Sequence, residues 1–170
     1  MKSNSMTLLT TWVVLLFFLL CPGYTLGEEL EAAPGFSLKD IEKLQEDDVT
    51  LSSLQGKVVF LNIFTTTCEV CRAEFPNVIA INDRYSPRGD FRVIGVAIDP
   101  MVEPVKSLVS ATGINYTVLM GELKTLAIWK VTGFPTSFLI NKEGKVYRRY
   151  EGFQDESAFV SDIEAVLGNR

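Results

Sequence analysis

Apolar positions along the chain alternate between two spacings, and the changes of spacing lay out its elements in order. The run VVFLNIF, 58–64, is apolar almost throughout and rich in β-branched and aromatic residues, as a strand buried on both faces must be. A second such run, FRVIGVAI at 91–98, ends at Asp99-Pro100. Between them Phe75, Val78, Ile79 and Asn82 recur near helical spacing, which predicts a helix over about 71–85. Val105, Leu108 and Val109 mark a helix over 105–112, with Gly113 just past its end. A short strand at 116–120 and a short helix at 123–131 follow. Then come TSFLI, 136–140, and KVYRRYEGF, 145–153, joined by the turn NKEG, whose Gly144 can take the positive φ of a hairpin loop. The last helix opens at Asp155 as N-cap and buries Phe159, Ile163, Val166 and Leu167.

Ahead of these elements, two short apolar patches, 36–38 and 49–51, flank a charged middle. They read as a small β-hairpin that ends in the turn Gln55-Gly56-Lys57. The order βαβα, then strand, hairpin and helix, predicts an α/β fold: a central mixed β-sheet with helices on both faces and an N-terminal β-hairpin extension.

The first residues follow another logic. Lys2 precedes an apolar run from Leu8 to Leu20, after which come helix breakers and the small residues Thr25 and Gly27. That order is a secretory signal peptide over 1–27, cleaved after Gly27 or retained as an uncleaved anchor. Leu20 stands where a lipoprotein signal would need a small residue, so Cys21 is not read as a lipidation site. Residues 28–35, acidic and then Pro/Gly-rich, read as a linker, and 36–170 as one domain. Hydrophobic residues make up 47% of the 170, enough for a proper core. The formal charge of −5, which becomes −6 once Lys2 leaves with the signal, offers no basic face to a nucleic acid.

Candidate chemistry lies in FTTTCEVCRAEFP, 64–76. With Cys21 lost in the leader, Cys68 and Cys71 are the cysteines of the mature domain, an even count that suits an oxidising compartment. A structural zinc site would need four ligands, and the chain has no histidine and no second cysteine pair. Nor do these cysteines scatter as buried structural ones do. They stand where a buried strand passes into a helix, and there free N–H groups and the positive end of the helix dipole stabilise a thiolate. The spacing puts Cys71 one turn inside Cys68. The outer sulfur can attack a disulfide and the inner one resolve the mixed disulfide. The redox reading is therefore the strongest of the three.

Two anchors carry a family resemblance. GKVVFLNIFTTTCEVCRAEFP contains the strand, the Cys-x-x-Cys and Pro76 five residues after the second cysteine, and GFPT, 133–136, is similar to a loop bearing a cis-proline. From about Phe36 to Leu167 the chain resembles the thioredoxin-like superfamily, specifically the secreted TlpA/ResA-like thiol–disulfide oxidoreductases. The resemblance implies a thioredoxin-like fold with Pro135 cis and facing the cysteines, and substrate contacts at Thr67, Phe134 and Pro135. It also implies a catalytic role for Glu74, a partly buried carboxylate that tunes or relays protons for the pair. Asn62, six before Cys68, takes the place of a buried aspartate in ordinary thioredoxins, as it does in the TlpA/ResA-like group.

The sequence departs from the family twice. Thr67 stands where a tryptophan usually precedes the nucleophile, and Glu69-Val70 stand between the cysteines, where relatives often place a proline second. The residues between the cysteines influence reduction potential, so the motif leaves the direction of catalysis open. What the resemblance implies is a protein-disulfide reductase outside the cytoplasm, in the periplasm or on the outer face of the membrane. Its clients would be disulfide-bearing secreted proteins, apocytochrome c among them, and its electrons would come from a membrane-linked thiol donor. It would act as a monomer with no cofactor beyond the Cys68–Cys71 disulfide, and without a metal. Two other readings stay open. A peroxiredoxin-like thiol peroxidase would use Thr65 but lacks its accompanying proline, and a copper(I)-binding thioredoxin-fold chaperone would use the two sulfurs alone.

Overall fold

The computed structural model describes residues 30–168, so the leader expected over 1–27 lies outside the described residues. Seven strands form one sheet in the order β2-β1-β5-β4-β3-β6-β7. They are β1 Ser37–Asp40, β2 Val49–Thr50, β3 Val58–Phe64, β4 Phe91–Ala97, β5 Thr117–Met120, β6 Thr136–Ile140 and β7 Val146–Glu151. The central strands β3, β4 and β5 run parallel, while β6 and β7 return antiparallel on one side and β1 and β2 on the other. This is the mixed sheet expected, and the N-terminal hairpin is its outermost pair of strands.

All seven residues of β3 are buried, and alternation decides what each one meets. Val58, Phe60 and Phe64 point into one core, with helices α1 Glu69–Tyr85, α2 Val102–Thr112 and α4 Glu156–Leu167 packed over it. Val59, Leu61 and Ile63 point into a second core, closed by Trp129 just after the short helix α3 Leu123–Ile128. Helices therefore cover both faces. Phe60, Tyr150 and Phe159 make edge-on and tilted contacts at 4.7–6.1 Å, and each such buried ring is worth about 1.5–3 kcal/mol.

Several boundaries differ from the periodicity. Helix α1 begins at Glu69, two residues before the expected start, because the Cys68 sulfur accepts the Cys71 N–H and caps the first turn. Cysteine is not among the usual capping residues, so the sequence carries no such signal. Ile81 is fully buried along with Phe75 and Val78 of this helix, whereas Ile79 is half-buried and Asn82 turns outward to Asn115. Helix α2 starts three residues early at Val102, and α3 stops at Ile128. Asp155 takes the N-cap position of α4, but within the described residues its side chain makes no capping bond. Val166 there is only partly buried.

The segment expected to be a linker is tied down. Ala32 bridges Lys145, the Ala33 N–H donates to the Gly144 carbonyl at 2.9 Å, and the Val146 N–H donates to the Glu31 carbonyl at 2.8 Å. Residues 31–33 thus lie along the start of β7 and cover part of that edge strand. Pro34 and Gly35 supply the loop-like composition, and the backbone bonds that hold the segment leave no trace in it.

Candidate active site

β3 ends at Phe64, and β6, its antiparallel neighbour, begins at Thr136 opposite Ile63. The loops leading to Cys68 and out of Pro135 therefore leave the sheet at the same end. Cys68 and Cys71 are joined as a disulfide. Cys71 is fully buried against the helix-covered core, while Cys68 is only half-buried and Thr67 beside it is exposed. The Cys71 N–H donates to Cys68 Sγ at 3.1 Å, so one sulfur both caps the helix and belongs to the redox pair. Pro76 interrupts α1 after two turns and removes the N–H that the Arg72 carbonyl would otherwise accept.

The Phe134–Pro135 peptide is cis, in keeping with the expectation from GFPT. Pro135 is buried and Phe134 half-buried, packing against both cores. Three sets of bonds hold their loop. Thr136 Oγ1 donates to the Gly133 carbonyl at 2.7 Å, and the Gly152 N–H donates to the Pro135 carbonyl at 2.8 Å. Arg149 donates to the Trp129 and Lys130 carbonyls at 3.2 and 2.8 Å while its guanidinium lies over the Phe138 ring.

Glu74 lies one turn beyond Cys71 on the same face of α1 and is 1% exposed. Period-2 alternation puts Asn62 in the row of Phe60 and Phe64, so its polar side chain is driven against this helix. Asn62 Nδ2 donates to Glu74 Oε2 at 3.2 Å and to Ser137 Oγ at 2.8 Å, and the Gln154 N–H donates to Glu74 Oε1 at 2.9 Å. Burial pushes the Glu74 carboxyl up to about 7, with the Gln154 N–H and the Asn62 amide pulling it back down. The sequence places Glu74 near the pair but understates its enclosure. Asn62 Oδ1 and the Tyr116 hydroxyl take no protein partner among the described residues. Burial first, and then the nearby Glu74 charge, raise the Tyr116 pKa.

Ser137 and the backbone of Gln154 were missed. Strand register could have found Ser137, since it lies opposite Asn62, but nothing in a sequence marks a main-chain donor in a loop. Among the described residues no group of three or more His, Cys, Asp or Glu is gathered where a metal could be held. Chemically the arrangement is a disulfide-bonded cysteine pair at a helix entrance, with a buried carboxyl of raised pKa behind it.

Comparisons agree with this geometry. The profile of the Redoxin family matches residues 28–167. The chain is 31% identical to the thiol-disulfide oxidoreductase ResA of Bacillus subtilis (strain 168), over 85% of this chain and 84% of that protein. It is also 31% identical to a ResA of Bacillus cereus, over 98% and 99% of the two. Among solved structures, a thiol:disulfide interchange protein of the thioredoxin family from Chlorobium tepidum TLS is similar. It superposes with a TM-score of 0.72 at 28% identity, covering 82% of this chain and 97% of that one.

Proposed function

The chain belongs to the Redoxin family, as a TlpA/ResA-like thiol–disulfide oxidoreductase, and on that premise we propose that it reduces disulfides in secreted clients outside the cytoplasm. The observation that carries this reading is the unequal burial of the two sulfurs at the entrance of α1, Cys68 reachable and Cys71 enclosed. In the reduced protein the Cys68 thiolate attacks one sulfur of the client disulfide. A Cys68–client bond forms and the client's other sulfur leaves as a thiolate. Cys71 then gives up its proton and attacks Cys68 Sγ, which closes the Cys68–Cys71 disulfide and releases the second client thiol. Two electrons pass to the client, and a thiol donor must return two to the pair.

Glu74 serves this second step by accepting the Cys71 proton, a role that fits a buried carboxyl raised to about 7. The exposed Thr67 and the Phe134–Pro135 loop frame the client's backbone at the same end of the sheet. Apocytochrome c is one client of this class. The signal or anchor expected over 1–27 accounts for the location, and the donor is a membrane-linked thiol protein.

Measuring the reduction potential of the purified domain tests the direction. A value near −270 mV makes it a reductant, and one near −120 mV overturns the reductive reading in favour of an oxidant. Turnover of a disulfide-bearing protein must accompany that value. Peroxide-dependent oxidation without disulfide turnover would identify a peroxidase, and stoichiometric copper(I) binding without turnover a chaperone.

A further inference from the structure

The loop that delivers Cys68 is the run Thr65-Thr66-Thr67. The structure holds its middle residue in a polar clamp. The Thr66 N–H donates to Asp99 Oδ2 at 3.0 Å and Thr66 Oγ1 to Asp99 Oδ1 at 2.6 Å, so one carboxylate grips the residue twice. From the other side Arg72 Nη2 donates to the Thr66 carbonyl at 2.7 Å. All three hydrogen-bonding groups of Thr66 are thereby engaged. The flanking hydroxyls of Thr65 and Thr67 bond each other at 3.0 Å, and the Cys68 N–H reaches back to the Thr65 carbonyl at 3.3 Å.

Asp99 owes its place to the end of β4. The Ile98 N–H is the last to pair with β3, at the Phe64 carbonyl, so the side chain of the next residue emerges beside the loop that follows β3. Arg72 sits one turn into α1. The clamp therefore ties the loop both to the sheet and to the helix that Cys68 caps.

We propose that Asp99 is a positioning residue for Cys68, acting through Thr66 to hold the sulfur at the helix entrance. The proposal rests on the exchange reading above only in taking Cys68 as the group positioned. With the loop held, the reduced Cys68 sulfur stays where the Cys71 N–H and the helix N-terminus favour its thiolate. With the loop free, the sulfur leaves that environment part of the time and the thiolate loses this support. The charged groups about the loop include Asp99 from the end of β4, Arg72 and Glu69 from the start of α1 and Glu74 a turn deeper, while Lys39, Asp48 and Glu122 line a cleft together with Asp99.

The test is iodoacetamide alkylation of Cys68 in the reduced full-length protein across pH, with unfolding temperatures measured alongside. Thr66→Val keeps the shape and the Asp99 charge but removes the hydroxyl. It should raise the midpoint of the pH–rate curve by about half to one unit and slow the reaction near neutrality roughly three- to tenfold, what one hydrogen bond is worth. Thr66→Ser restores the hydroxyl and should restore the curve. Asp99→Leu, of similar size, removes both acceptors and should shift the midpoint upward too. A purely electrostatic Asp99 would do the reverse, since removing a negative charge favours a thiolate. A midpoint lowered by Asp99→Leu, or unmoved by Thr66→Val whatever happens to its unfolding temperature, overturns the proposal. If Thr66→Val does not fold, the sign of the Asp99→Leu shift decides alone. Alkylation needs no client, so a wild-type protein inactive on disulfides would sink the proposed function and leave this comparison intact.

Discussion

Asn62 donates its amide to the Glu74 carboxylate at 3.2 Å, joining the central strand to the helix that carries the cysteines, with both residues buried. The same Nδ2 donates to Ser137, and Oδ1 takes no protein partner among the described residues, so Asn62 acts here as a donor. A donor lowers the cost of keeping a buried carboxylate charged, and that cost sets where Glu74 titrates.

Asn62→Asp would replace this donor with a second carboxyl facing the first. Above neutrality two charges would share one buried site, and below it they could share a proton. Unfolding by denaturant should show a loss of about 2–4 kcal/mol at pH 8 and a distinctly smaller loss at pH 5. Equal losses at both pH values would show that the pair does not couple.

Glu74→Gln should flatten two pH profiles. The wild-type carboxyl sits at about 7 in the folded state against an ordinary 4.5, so the native protein holds the proton longer than the unfolded chain. Its stability contribution is thus fully present below about 4.5 and lost as pH rises through about 7, a change of about 3 kcal/mol. Glutamine can keep the Gln154 bond, and Asn62 can turn its free Oδ1 toward the new amide. The variant should fold with that slope removed and with an altered pH dependence of cysteine alkylation. Superimposable wild-type and variant curves would rule out a proton-handling role for Glu74.

Cys71→Ser should accumulate mixed disulfides with clients, because Cys68 can still attack and nothing resolves the product. Cys68→Ser should trap none, since Cys71 is fully buried. Non-reducing electrophoresis after mixing with a disulfide-bearing protein reads both. Trapping by the outer variant alone would reverse the roles.

Gly121→Ala should destabilise the fold by about 1–3 kcal/mol, as overpacking does. A Cβ at this position, just past β5, would lie 2.5 Å from Ile98 Cδ1 and 2.6 Å from Val96 Cγ1. The backbone there cannot easily yield, because the Gly121 N–H is bound to the Ala97 carbonyl. Thermal unfolding checks this, and an unchanged midpoint would mean that both side chains turn aside freely.

What was legible in the sequence followed from strong periods and local chemistry. VVFLNIF and TSFLI were bounded to the residue, because continuous apolar runs between turn residues leave little freedom. The cysteine pair was legible because its spacing means something only at a helix entrance. Ends set by bonds that leave no compositional signal were not. The start of α1 depends on a sulfur cap, and residues 31–33 owe their place to backbone bonds that any side chains could accompany. The surroundings of Glu74 were hidden for a related reason. Asn62, itself bonded to Ser137, and Gln154 lie 12 and 80 positions away along the chain and meet it only through strand register and a loop's main chain.

The bonds of residues 31–33 to the β6–β7 hairpin also bear on where the chain can be trimmed. A protein trimmed to begin at Phe36 would keep the whole sheet yet leave the Val146 N–H and the Gly144 carbonyl bare on an outer strand. Such an open border invites a second molecule to pair there. The acidic and proline-bearing stretch before the first strand is, in that sense, a selvedge: it finishes the fabric of the sheet along a border where another strand could otherwise be stitched on.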